Sequence, residues 1–207
     1  MFKVVEMELS QMDEIRLKLE DFLDDYSKLI ILGIGNDIRG DDGLGPYIIN
    51  RLSNLNEDRL NDDILEDTYI DNSINLEDII YFSNNVLLIN GGSVPENFTG
   101  PIKKLNPSHI IIIDACLMNR NPGEVNIVSK ENIVNVSIST HSMSLAYLIK
   151  YLESNLNDET LNSEKNFNDF KMLFIGIEPE IIDLSFNLTE SVKESCDNLI
   201  NIIADLI

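Results

Sequence analysis

Residues 29–45 read LIILGIGNDIRGDDGLG, and this stretch decides the fold. Its first four residues are all apolar, as a strand buried on both faces requires. Glycines then recur at 33, 35, 40, 43 and 45, which predicts a tight loop that other groups can approach closely. Leu44, Tyr47, Ile48 and Leu52 follow at the spacing of one helical face. The unit is therefore strand, glycine loop, helix. Such units often bind phosphate, but here the spacing argues otherwise. A dinucleotide fingerprint needs glycine where Ile38 stands, and a P-loop needs Lys and Ser/Thr where Asp41 and Asp42 stand. Two carboxylates at the mouth of the loop favour a cation over a phosphate.

Working outward, further apolar runs predict strands at 85–92, 110–113, 124–128 and 172–177. The run at 110–113 is entirely β-branched and ends directly in Asp114, the pattern of a central parallel strand with a polar tip. Residues 64–70 could add a short strand and a helix could start near Asn75. Helical spacing over 7–26 predicts an amphipathic helix packed beside the first strand. Another helix follows His141, with Ser139 or Thr140 as its cap and His141 in its first turn. A terminal helix carries Leu188, Val192, Cys196, Leu199 and Ile203 on one face, capped by Asn187 or Thr189. Residues 93–101 contain Pro95 and Pro101 and read as a loop. Alternating strands and helices give an α/β fold, a three-layer α/β/α sandwich with a mostly parallel sheet of about five strands. The whole of 1–207 reads as one domain, with an added helix in 1–27 and polar insertions at 54–84 and 154–170.

The chain has 207 residues, 43% of them apolar, enough for one core. Its net charge of −21 disfavours nucleic acid and anionic membrane surfaces. No apolar run reaches the ~20 residues of a membrane span, and the acidic N-terminus lacks signal-peptide character, so a cytoplasmic location is expected. Cys116 and Cys196 are too few for a disulfide framework and are expected to be small buried residues.

Taken singly, each polar candidate has a plain alternative. Asp42 could cap the helix that begins at Gly43, and so could Asp41. Asp114 could simply meet solvent at its strand tip. His109 precedes the central strand at the end away from the loops and reads as structural. Cys116 could pair with His141 as a nucleophilic dyad, but nothing around it supplies the orienting context. Ser93 and Ser139 lack a nucleophile elbow, and no HExxH zinc motif is present. Asn36 could contact a peptide or merely hold its turn, and Glu96 could line the loop at 93–101.

The order of these segments resembles the hydrogenase maturation endopeptidases. Residues 31–45 match that family's glycine and GDDG signature. SVPENFTGPI (93–102), IIIIDA (110–115), STH (139–141) and IGIEPE (175–180) follow in the expected order. The resemblance implies a protease that trims the C-terminus of a nickel–iron hydrogenase large-subunit precursor. It implies that Asp42, Asp114 and His141 contact nickel already carried by that precursor, with no tightly bound organic cofactor and a monomeric enzyme. The glycine loop would bring backbone close to an extended peptide. Two rival readings are a non-catalytic nickel-sensing chaperone of the precursor and an unrelated metal-dependent hydrolase.

Overall fold

A computed structural model describes residues 10–57, 79–128, 139–156 and 170–207. Six strands form one sheet: β1 (Leu29–Ile34), β2 (Ile79–Ser83), β3 (Val86–Gly92), β4 (His109–Ala115), β5 (Val125–Val128) and β6 (Lys171–Ile177). Their order is β2-β3-β1-β4-β6-β5. The four inner strands are parallel, while β2 and β5 run antiparallel at the edges. The expected count of about five strands falls one short. The missed strand is β2, at the end of the stretch read as a polar insertion, where a two-residue hairpin joins it to β3. The strand considered at 64–70 and the helix start near Asn75 lie outside the described residues.

Among the described residues five helices flank the sheet: α1 (Gln11–Leu23), α2 (Leu44–Glu57), α3 (Thr99–Leu105), α4 (Ser142–Leu156) and α5 (Glu190–Leu206). Side chains alternate faces along a strand, so the buried runs of β1 and β4 feed two cores at once. Ile31, Ile111 and Ile113 pack with Ile15, Leu19, Ile48, Val192 and Leu199 from α1, α2 and α5. Ile30, Leu32, Ile110 and Ile112 pack with Ile102, Leu145, Leu148 and Leu152 from α3 and α4. The result is the three-layer α/β/α sandwich.

Three local expectations change. First, α1 packs on α5 and the β5 edge rather than beside β1, and Arg16 pairs with Asp205 at 2.8 Å. Second, 93–101 is not a plain loop. A 3-10 turn (Pro95–Phe98) leads straight into α3, because both prolines fall in first turns, where no backbone N–H is needed. Third, His141 stands one residue before α4, and its carbonyl accepts from Leu145 N–H at 3.0 Å.

The first strand and the helix that follows it touch backbone to backbone. A Cβ at Gly45 would lie 2.1 Å from the Ile34 carbonyl oxygen and 2.5 Å from the Ile34 nitrogen. Neither atom can rotate away. Gly45→Ala is expected to destabilise the protein by at least ~3 kcal/mol, the upper end of an overpacked core, read as a lowered midpoint in urea. A midpoint equal to that of the unaltered protein would show that α2 can lift off β1 freely.

Candidate functional site

Consecutive connections leave β1 and β4 in opposite directions, β1 towards β3 and β4 towards β6. Their C-terminal ends therefore open a crevice at the switch point, where α/β sheets place their sites. Three loops meet there.

The first is the glycine loop. Gly35 has φ +145°, and a Cβ on it would sit 1.9 Å from the Asp42 carbonyl oxygen. Asn36 N–H donates to that same carbonyl at 3.1 Å, so the outgoing and returning legs lie against each other. The closely approached backbone is thus the chain's own. Asn36 holds the turn, its Oδ1 accepting from Ile38 N–H at 3.2 Å.

The 3-10 turn Gly40–Gly43 then points its two carboxylates to different destinations. Neither side chain caps a helix. Asp41 is buried and accepts from the backbone N–H groups of Glu180 (2.9 Å), Ile181 (2.9 Å) and Thr189 (2.7 Å), and from the Thr189 hydroxyl (3.0 Å). It is a strut between the glycine loop and the start of α5. Thr189 is the residue before α5, as expected, but its hydroxyl serves Asp41 instead of capping the helix. Asp42 is equally buried, yet neither of its oxygens has a hydrogen-bond partner. The nearest opposite charge is His141, whose Nε2 lies 3.5 Å from Asp42 Oδ2 and also lacks a partner.

The second loop follows β4. Asp114 ends the β-branched run fully buried, so the solvent-exposed alternative does not hold. Ser139 donates its hydroxyl to Asp114 Oδ2, and Asp114 Oδ1 accepts from Ala115 N–H (2.8 Å) and the Thr140 hydroxyl (3.2 Å). The third element is STH itself. Ser139 bridges to Cys116 and Thr140 N–H donates to the Ala115 carbonyl at 3.3 Å, which seats the tripeptide against the tip of β4. Ser139 Oγ also accepts His141 N–H at 3.0 Å, so one hydroxyl links the acid to the imidazole's backbone.

Asp42 and His141 stand together, and Asp114 stands behind them on the shared hydroxyls of Ser139 and Thr140. Burial pushes the Asp42 carboxyl up, but the imidazole and the Thr140 hydroxyl, which lie close to it though outside hydrogen-bond geometry, outweigh it and hold it below the usual carboxylate value. Burial pulls His141 down, and Asp42 and Asp114 more than reverse this. Asp114 is pushed up to about 7 by burial, with Asp42 adding repulsion, against the Ser139 hydroxyl and His141. Asp42 and His141 thus favour each other's charged forms, beside a carboxyl that can take or release a proton near neutral pH.

This raised value carries a stability signature. The folded Asp114 binds its proton more tightly than the unfolded one, whose ordinary value is 3.8. Its contribution is complete below about 4 and is lost as pH rises to about 7. Asp114→Asn should therefore gain stability relative to the unaltered protein across that window, by ~3 kcal/mol in total. Urea midpoints of the two proteins at pH 5 and pH 8 check it; a constant difference would refute the buried acid.

Residues set aside at the sequence level behave accordingly. Cys116 is buried against Gly176, and burial drives its thiol far above the ordinary range, so it offers no thiolate to His141. His109 lies at the opposite end of β4, edge-on to Phe22 at 4.9 Å and near Asp25 at 3.3 Å. Glu96 sits half-buried in the 3-10 turn after β3. Sequence reasoning missed Glu178, whose Oε2 accepts Met118 N–H (2.6 Å) and Arg120 N–H (3.3 Å) and so fixes the loop after β4. Its signal was present in IGIEPE, an acid directly after a buried strand. Among the described residues no three His, Cys, Asp or Glu side chains stand in metal-ligating geometry. A cation entering here would meet Asp42 and His141 first, because theirs are the free buried polar atoms.

Comparison with known proteins agrees with this architecture. Residues 73–206 match the hydrogenase maturation protease family model of the HycI type. A Methanocaldococcus jannaschii protein assigned as a hydrogenase maturation protease is 35% identical over 91% of this chain and 94% of its own length. The hydrogenase 3 maturation protease of Escherichia coli K12 is 26% identical, covering 82% of this chain and 85% of its own. In fold, the chain is similar to the [NiFe] hydrogenase maturation protease HycI of Thermococcus kodakarensis, with TM-score 0.66 and 24% identity over 91% of this chain and 97% of that one.

Proposed function

The chain belongs to the hydrogenase maturation proteases, and from that premise we propose that it removes the C-terminal extension of a nickel–iron hydrogenase large-subunit precursor after nickel insertion. The observation that carries the reading is the unpartnered Asp42–His141 pair. Two buried carboxylate oxygens and one imidazole nitrogen, free of hydrogen bonds at a loop crevice, are costly unless something arrives to use them. Nickel held by the precursor is that group. An incomplete ligand set on the enzyme suits a metal that brings ligands of its own. In this reading the enzyme is a cytoplasmic monomer with no resident metal. The span 1–207 works as one domain with the helix at its N-terminal end and the segment 154–170 as additions, whereas 54–84 is only partly an insertion, since it contains the end of α2 and the strand β2.

Asp42 and His141 face the substrate's metal, and Asp114 is the third member of the set. Bound nickel would anchor the precursor and draw electron density from a neighbouring carbonyl or water. Asp114 can exchange a proton near neutral pH, the property a general base or acid needs, while Ser139 and Thr140 orient it. The test is direct. Nickel-loaded precursor mixed with the purified enzyme should yield a shortened subunit and a released C-terminal peptide by mass spectrometry. Precursor without nickel should stay intact. Equal cleavage of both would remove nickel recognition from the reading, and stable binding of loaded precursor without cleavage would favour the chaperone.

A further inference from the structure

Six of the ten large apolar side chains exposed among the described residues gather at one end of the sheet. Ile38, Leu117, Met143, Ile181, Leu184 and Phe186 all stand on the loops or helix start around the site, at the C-terminal end of the sheet. Leu184 and Phe186 are 77% and 79% exposed. Their loop is nevertheless tied down. Ser185, between them, donates its N–H to the Ile38 carbonyl at 3.1 Å and accepts Gly40 N–H at 2.8 Å. Asp41 N–H donates to the Ile181 carbonyl at 3.0 Å, and the Asp41 carboxylate holds both ends of the loop at Glu180, Ile181 and Thr189. Apolar side chains on a backbone this well fixed have already lost the freedom that binding would otherwise cost. They are held in water, where burial would be favourable.

We propose that the segment 181–186, with Ile38 beside it, is the docking surface for the folded body of the protein substrate, away from the bond that is cut. The proposal rests on the precursor-processing reading and names how that precursor is held. An endopeptidase must seat a polypeptide over the crevice, and this loop is bonded to the same turn that carries Asp42. Glu180, Asp183 and Asp37 are exposed around the apolar residues and outnumber the exposed Arg39 that bridges to Ser185, so the complementary partner surface is apolar with a mainly basic rim. A second copy of this chain is the poorer occupant, because each carries a net charge of −21 and would bring acid against acid.

The test uses Leu184→Ser combined with Phe186→Ser, and Leu17→Ser, on the exposed face of α1, as control. Thermal midpoints verify that both remain folded. With nickel-loaded precursor, the double variant should show a KM raised at least ~10-fold and kcat within about twofold of the unaltered enzyme. Its Kd for the precursor, measured in an Asp114→Asn background, should weaken by the same factor, and Leu17→Ser should change neither. Unchanged KM and Kd, beside normal cleavage by the unaltered enzyme, overturn the docking surface and leave the processing reading intact. Precursor that is bound but never cut, with binding lost in the double variant, overturns processing and upholds the surface. Neither binding nor cleavage by the unaltered enzyme overturns both. Self-association that the double substitution abolishes assigns the surface to a second copy instead.

Discussion

His141→Ala yields a folded protein that leaves nickel-loaded precursor uncut, with processing down at least ~100-fold. The residue precedes α4, and the helix bond it makes is from its backbone carbonyl to Leu145 N–H, which alanine keeps. The substitution does remove the ion-pair partner of Asp42, and an unpaired buried carboxylate costs ~3 kcal/mol. That penalty separates two explanations of a dead enzyme. Adding Asp42→Asn to His141→Ala should restore the urea midpoint and leave processing lost, since the charge problem disappears while the atoms proposed to meet the metal do not return. Cys116→Ala and His109→Ala should retain cleavage, apart from any loss of stability, because one side chain is packed against Gly176 and the other lies at the far end of β4. An inactive but folded Cys116→Ala, beside an active His141→Ala, would make this a thiol protease.

Asp41→Ala should cost ~4 kcal/mol, although Asp41 and Asp42 are adjacent and equally buried. Removing the Asp41 carboxylate strands three backbone N–H groups and the Thr189 hydroxyl, and it releases both the 180–189 loop and the entry to α5. Asp42→Asn removes no hydrogen bond. It gives up the attraction of His141 and sheds the cost of a buried charge, so its stability should stay within ~1 kcal/mol while processing is lost. Urea unfolding and the processing assay together read both variants. A stable Asp41→Ala and an unfolded Asp42→Asn would exchange the roles of the two acids.

The sheet was legible because four of its strands are uninterrupted apolar runs, which need no neighbour to be recognised. β2 was not, because Ile79–Ser83 adjoins an acidic, Asn-rich stretch whose composition masks five residues that pair only with β3. The helical character of 95–105 was hidden by prolines that break a helix interior and are harmless in a first turn. Within the site, the sequence could place Asp114 and His141 on converging loops, since a strand tip and a helix start say where they lie. It could not tell Asp41 from Asp42. What distinguishes them is which one meets the backbone of 180–189, and that contact spans more than two-thirds of the chain. In the sequence the Ser139 hydroxyl can be read as a helix cap, and its actual use between Asp114 and His141 depends on the same long-range geometry.

The Asp41 strut also imposes an order in time. Its carboxylate is made early in synthesis, whereas its donors at Ile181 and Thr189 come 140 and 148 residues later. Until they are made, the acid has nothing in the chain to satisfy it, and the turn that aims Asp42 has no reason to hold its shape. β1 and α2 can condense beforehand, but the crevice cannot. A contact of such sequence separation forms late, after the intervening chain has been ordered. The crevice therefore takes its shape only once the 180–189 segment has folded back onto the glycine loop.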